Sequence, residues 1–292
     1  MIPYWLTYRP SPTLAECWPG SLVVLPDNEQ FLDRVTGAML AARDLRAVIQ
    51  TGCNEDYLTN PDHWDRYLNA LHLRCAAQGI TPVAWMIEEE WWDRCNNPAD
   101  VAGWPVFAGM TEWQRKEWLR PRLAELYRRT KARGLLTVAV ETKWNDDATF
   151  GSGLWYPDYG ADVLGADPYL WARGWPLVGT PPLTDSDGPE MCEKFKREVA
   201  WVVEGVGAWK GVLHYGRPVM LVAQAFRDRD PNGLWATVPT AAQLHWWLDL
   251  AERHPQIVAL AAFAHRSAAS VACMDELPET RAAVDALHAE GS

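Results

Sequence analysis

The chain has 292 residues and a formal net charge of −11, an acidic balance that excludes a phosphate-driven nucleic-acid or anionic-membrane partner, because binding phosphate needs a basic face. No apolar stretch reaches the roughly 18–20 residues that span a bilayer. The opening MIPYWLTYRP has no basic leader followed by an apolar core, so a soluble protein made in the cytoplasm without a secretory signal is expected.

Taken in chain order, the first strand candidates are PYWLTYR (3–9), SLVVLPD (21–27) and RAVIQTG (46–52). Residues 10–20 between the first two are too short and proline-rich for an ordinary helix. Residues 29–44 carry Phe31, Val35, Met39 and Leu40 on one side and read as a helix. Asn60 followed by Pro61 opens a helix through about Gln78, with Trp64, Tyr67, Leu68, Leu71 and Cys75 on one face. The fourth strand is PVAWMIEEE (82–90). Thr111 with Gln114 makes a capping box for a helix that runs to about Ala132 and stops at Gly134. LLTVAVETKW (135–144) and VLGADPY (163–169) are strands five and six. Gly188 and Pro189 open a helix reaching about Trp209, PVMLVAQAF (218–226) is strand seven, Thr240 with Gln243 opens a helix before Pro255, and VALAAFAHR (258–266) is strand eight.

Eight apolar strands with helices between most of them predict a single (β/α)8 barrel over 1–292, with an irregular first βα unit. A doubly wound open sheet loses support because neither GxGxxG nor GxxxxGK[ST] follows any strand. Two long loops, 91–110 and 170–187, follow strands four and six and are rich in Trp, Pro and Gly; in a barrel both rise from the functional rim. The cysteines, Cys17, Cys53, Cys75, Cys95, Cys192 and Cys273, form no CxxC pair and no metal-ligand spacing, which argues against zinc and against a disulfide framework. Tryptophan is the outlier, 18 against 6 Phe; such flat rings with a polar edge suit ligand stacking, and equally a heavy core.

Buried parallel strands accept polar groups at their ends. Strands four to eight end on Glu88, Glu141, Asp167, Gln224 and His265. Side-chain alternation is expected to turn Ala84, Met86 and Glu88 inward on strand four, with Val83, Trp85, Ile87 and Glu89 toward the helices. The same rule turns Thr137, Ala139 and Glu141 inward on strand five, and Gly165, Asp167 and Tyr169 on strand six. It also selects Val222 with Gln224, and Ala259, Ala261, Phe263 and His265. Glu141, two residues before Lys143, reads alternatively as half of a structural ion pair, and Asp167, before Pro168, as a turn cap.

Glycoside hydrolysis needs two carboxyl groups about 5 to 9 Å apart, one protonated and one ionised, and neighbouring strand ends meet that spacing. Glu88, Glu141 and Asp167 are the candidate catalytic residues, with Glu88 and Glu141 as the main pair and Asp167 as helper or alternative partner, crowding of like charge raising one pKa. Trp144, Tyr169, Trp171, Gln224 and His265 are the candidate substrate-binding residues, rings to stack on sugars and polar groups for hydroxyls. The acidic balance suits a neutral or cationic ligand, and a carbohydrate is expected.

The strand order, the LGADPY segment and the LVAQAF strand resemble the (β/α)8 barrels of glycoside hydrolases and glycoside-hydrolase-like proteins. That resemblance implies cleavage of an oligo- or polysaccharide without a cofactor. Many such enzymes end strand four on Asn-Glu and strand seven on a nucleophilic Glu; here Met86-Ile87-Glu88 has no Asn and strand seven offers Gln224, so a working pair must come from strands four to six. Two rivals use the same residues: a sugar isomerase or lyase barrel holding Mg2+ or Mn2+ on three carboxylates, with Lys143 or His265 as base, and a barrel that binds glycan without cleaving it.

Overall fold

The computed structural model describes residues 4–8, 10, 13–89, 95, 102–141, 160–166, 200, 203–206, 209–223, 227–228, 241–263, 270–272 and 278–291. Eight parallel strands close on themselves in the order β1-β11-β9-β6-β5-β4-β3-β2. They are β1 (Tyr4–Tyr8), β2 (Leu22–Pro26), β3 (Arg46–Thr51), β4 (Ala84–Glu89), β5 (Leu136–Glu141), β6 (Val163–Ala166), β9 (Val219–Ala223) and β11 (Ile257–Phe263). All eight apolar runs of the sequence are therefore barrel strands. Two short antiparallel ribbons accompany them: β7 (Gly205–Val206) with β8 (Trp209–Lys210), and β10 (Arg227–Asp228) with β12 (Ser270–Ala272). The strands of the second ribbon follow β9 and β11 in the sequence.

The inside of the barrel is a packed core, as closure of eight strands requires. Val24, Val48, Met86, Val138, Val140 and Met220 are among the side chains that fill it. Gly165 sits where a Cβ would come within 2.6 Å of Val140 Cγ2 and 3.2 Å of Met220 Cε, so the missing side chain on β6 makes room for large neighbours on β5 and β9. Met86, Val222, Ala259 and Ala261 lie inside as alternation predicts, while Trp85 and Ile87 belong to the outer layer. Val83, expected on the helix side, packs instead on the inner core at the entry of β4.

Strand β5 reverses its expected parity. Val138 and Val140 face inward and Ala139 belongs to the layer beneath the helices. The filling of the interior opposite Gly165 decides this, since a β-branched side chain occupies the space that Gly165 leaves. Thr137 is tied instead to Asp162, which accepts from both its N–H and its hydroxyl at 2.9 Å.

The helices Pro61–Ala77 and Glu112–Lys131 cover β3, β4 and β5. The second opens on the expected capping box, with Thr111 N–H donating to Gln114 Oε1 at 2.8 Å and Gln114 N–H to Thr111 Oγ1 at 3.3 Å. Arg129, held by Glu125 on its own helix, joins the two helices through Asp62 and Asp65. Trp64 and Trp85 are fully buried; Trp64 Nε1 donates across to Thr130 Oγ1 on the second helix at 3.1 Å. These tryptophans, with buried Trp247, belong to the core.

Two connections differ from expectation. Residues 29–44 form a 3-10 turn (Leu32–Arg34) and a short helix (Gly37–Ala41) instead of one helix, because Thr36 caps Met39 and restarts the chain. A Cβ on Gly37 would lie 1.9 Å from the Gly79 carbonyl oxygen, so this helix must start on glycine. The helix expected to reach Trp209 ends earlier, in the β7–β8 ribbon; its start lies outside the described residues. The β1–β2 connection is irregular, as predicted. There Trp18 takes the place of a helix: its Nε1 donates to Asp285 Oδ1 at 2.8 Å and its ring stacks on His288 at 5.3 Å, both on the helix Pro278–Gly291. Helix Ala241–Arg253 precedes β11 as predicted.

Candidate functional site

The carboxyl ends of the parallel strands share one rim, where loop residues in such barrels do their chemistry. Of the candidate residues, Glu141 is described in full and Glu88 by its backbone. Asp167, Trp144, Tyr169, Trp171, Gln224 and His265 lie outside the described residues, as does the loop 170–187.

At the end of β4 the ladder with β5 is broken. Met86 pairs with Val138, but the next partner, of Val140, is Glu89. One extra residue is inserted between them, a β-bulge of the kind that re-aims side chains at barrel rims. Uninterrupted alternation made Glu88 the inward position of β4. The register instead sets Glu89 level with Val140, whose side chain faces the barrel interior.

The backbone around this bulge is held by two hydroxyls. Thr51, the last residue of β3, donates to the Met86 carbonyl at 3.1 Å. Tyr127, from the helix Glu112–Lys131, places its hydroxyl 3.3 Å from both the Ile87 and the Val138 carbonyl oxygens. Tyr127 is fully buried, and burial, with the charge of Glu141 second, raises its pKa well above the ordinary phenol value, so it stays a donor at any working pH.

Glu141 shares the outward parity of Thr137 and Ala139, not the inward one expected of it. Its carboxyl-bearing side chain is only 1 % exposed and acts electrostatically on Tyr127 and Cys95, both members of the outer layer. Lys116, 3 % exposed, is paired with Glu112 one helical turn before it and also acts on Cys95. The outer side of the β4–β5 rim thus carries a buried polar group, Glu141, Tyr127, Cys95 and Lys116. A hydroxyl on a helix 40 residues from the carbonyl it binds leaves no local pattern in the sequence.

A second region lies at the ends of β2 and β3. Asp27 N–H donates to the Gln50 carbonyl at 3.0 Å, the Gly52 N–H donates to Asp27 Oδ2 at 3.4 Å, and Arg74 Nη1 donates to the Asp27 carbonyl at 2.6 Å. Burial pushes the Asp27 carboxyl above its ordinary pKa. Sequence patterning passed over this residue, although it follows the apolar run VVLP directly. The 3-10 turn Pro105–Phe107 of the loop 91–110 is tied to the short helix Glu55–Thr59, the Val106 N–H donating to Glu55 Oε2 at 3.4 Å. Cys17, Cys53, Cys75 and Cys95 are free thiols.

The arrangement defines a closed (β/α)8 barrel with a carboxylate-bearing rim. Among the described residues no three His, Cys, Asp or Glu side chains converge as a metal-binding group, and no helix is long and apolar enough to cross a membrane. No protein-family model matches the chain and no curated protein aligns with it. Solved structures do resemble it. An endo-beta-mannanase/endo-beta-glucanase from Prevotella bryantii superposes with a TM-score of 0.50 at 11% identity, over 91% of this chain and 41% of that one. An engineered protein gives 0.51 at 11% identity, over 99% and 68%. An AP endonuclease of family 2 from Brucella melitensis gives 0.47 at 8% identity, over 99% of both chains. At these identities the first two likenesses show the barrel fold alone and leave the chemistry to the rim residues.

Proposed function

We propose that this barrel hydrolyses a glycosidic bond in an oligo- or polysaccharide, with one carboxyl group from the end of β4 and one from the end of β6. The observation that carries the reading is the bulge that brings two consecutive glutamates, Glu88 and Glu89, to the end of β4. Asp167 follows β6 directly in the sequence. Glu141, buried toward the helices, is assigned to the support of β4 and not to contact with sugar. Trp144, Tyr169, Trp171, Gln224 and His265 are assigned to substrate binding, as stacking faces and hydroxyl partners.

Strands β4 and β6 are separated by β5 alone, so their ends stand two strand spacings, about 10 Å, apart at the backbone. Carboxyl groups extending from such positions suit the wider separation, with a water between them, of an inverting hydrolase. The test is a panel of chromogenic and reducing-end assays on neutral glycans. Cleavage by the wild type that is lost in Asp167→Asn supports the assignment; full activity in that variant removes Asp167 from the mechanism. A glycan that binds and quenches tryptophan fluorescence without being cut points to the binding barrel instead.

A further inference from the structure

The geometry points to Tyr127 and Thr51 as positioning residues for the β4 carboxylates: their two hydroxyls hold the bulge that sets where Glu88 and Glu89 leave the barrel. The inference rests on the hydrolytic reading of the β4 rim. A bulge interrupts the regular ladder, so hydrogen bonds made to the backbone beside it bear on where the chain leaves the strand. Here the carbonyls of Met86 and Ile87, consecutive in β4 and immediately before Glu88, are each met by a side-chain hydroxyl, Thr51 from β3 on one side and Tyr127 from the helix layer on the other. Tyr127 also reaches the Val138 carbonyl, so it stands between β4 and β5 at the point where their register changes between Met86 and Glu89. Neither hydroxyl is near solvent; both residues are buried. The helix that carries Tyr127 is fixed in turn by its capping box and by Arg129. The bulge is therefore held from two sides by parts of the scaffold that do not themselves reach a ligand.

A tyrosine whose hydroxyl is merely satisfied in the core would give the same bond lengths, so the test must read position as well as stability. In the full-length protein, Tyr127→Phe and Thr51→Val each delete one hydroxyl and keep the shape. Hydrogen exchange followed by mass spectrometry is expected to show faster exchange in peptides covering 84–89, by about tenfold or more, with β9 peptides (219–223) as in the wild type. On a glycan that the wild type cleaves, kcat is expected to fall by up to about 100-fold with KM within about twofold, the signature of a misplaced catalytic group. Wild-type exchange at 84–89 in both variants overturns the proposal, as does faster exchange spread evenly over all barrel strands, or local acceleration with kcat unchanged. If Tyr127→Phe does not fold, Thr51→Val decides by the same measurements. If the wild type cleaves no glycan, the hydrolytic reading has failed, whereas the exchange pattern still decides whether the two hydroxyls hold the bulge.

Discussion

Glu89 stands level with Val140 across the β4–β5 ladder, three residues beyond the Met86–Val138 pair on one strand and two on the other. The extra residue decides which glutamate of β4 occupies the register position of the inner face. We expect Glu89→Gln to lower kcat by about 10²- to 10⁴-fold, the range for loss of a general acid or base, and Glu88→Gln to cost less. The comparison is made on one substrate with both variants shown to be folded. Equal rates in Glu89→Gln and wild type would return the role to Glu88.

Glu141 lies on the other face of the same rim, almost completely buried. Glu141→Gln is therefore expected to act first on stability, with a lower urea midpoint, and to leave residual activity well above that of the β4 variant. Chemical denaturation and kcat measured on the same preparation separate the two effects.

Glu125 is gripped by Arg128, whose Nη2 and Nε donate at 2.6 and 2.7 Å, and by Arg129 Nε at 2.7 Å. The Arg128 hydrogen bonds, joined by those of Arg129, pull its pKa from 4.5 down to about 2. A carboxyl whose folded-state pKa is depressed stabilises fully above its unfolded pKa, and that contribution is lost as pH falls toward the folded value. Stability should therefore decline between about pH 4.5 and pH 2 partly through this group. Urea midpoints across that window should fall less steeply in Glu125→Gln, and an unchanged slope would remove Glu125 from the acid response.

Burial pushes the thiols of Cys17 and Cys95 up to about 12 and that of Cys75 to about 11. Since the thiolate is the reactive form, these three are expected to resist alkylation at pH 8, while half-buried Cys53 is modified first among the four. Peptide mapping after a timed iodoacetamide pulse checks the order, and addition of urea should make all four react.

For the rival in which the rim carboxylates hold a divalent ion, activity should vanish on dialysis against EDTA and return with Mg2+ or Mn2+. The two-carboxylate reading expects the same rate before and after dialysis.

The barrel was legible because its strands are short apolar runs ending on polar residues, and the main helices because Pro61 and the Thr111–Gln114 box mark their starts. Failures came where a distant neighbour decided. Nothing within Leu136–Glu141 tells Val138 from Ala139 as the inward residue; Gly165, on the next strand, does. Within 29–44 the one-sided apolar spacing hid the Thr36 cap that restarts the chain, and nothing there announces that the Gly79 carbonyl requires glycine at 37. The bulge of β4 is equally silent, since its hydroxyl partners come from Thr51 and Tyr127. Local periodicity thus located the rim, and contacts between strands fixed what faces into it.

The bond between Trp18 and Asp285 spans 267 positions, and β1 takes one of its two neighbours from β11. During synthesis, β1 must wait until β11 has been made before its second edge is covered. Closure of such a seam is a late, entropically expensive event. Until it occurs, β1 has an edge open to pairing with another chain. Newly made protein is then vulnerable to aggregation at β1, and shortening the helix Pro278–Gly291 should prolong that vulnerability.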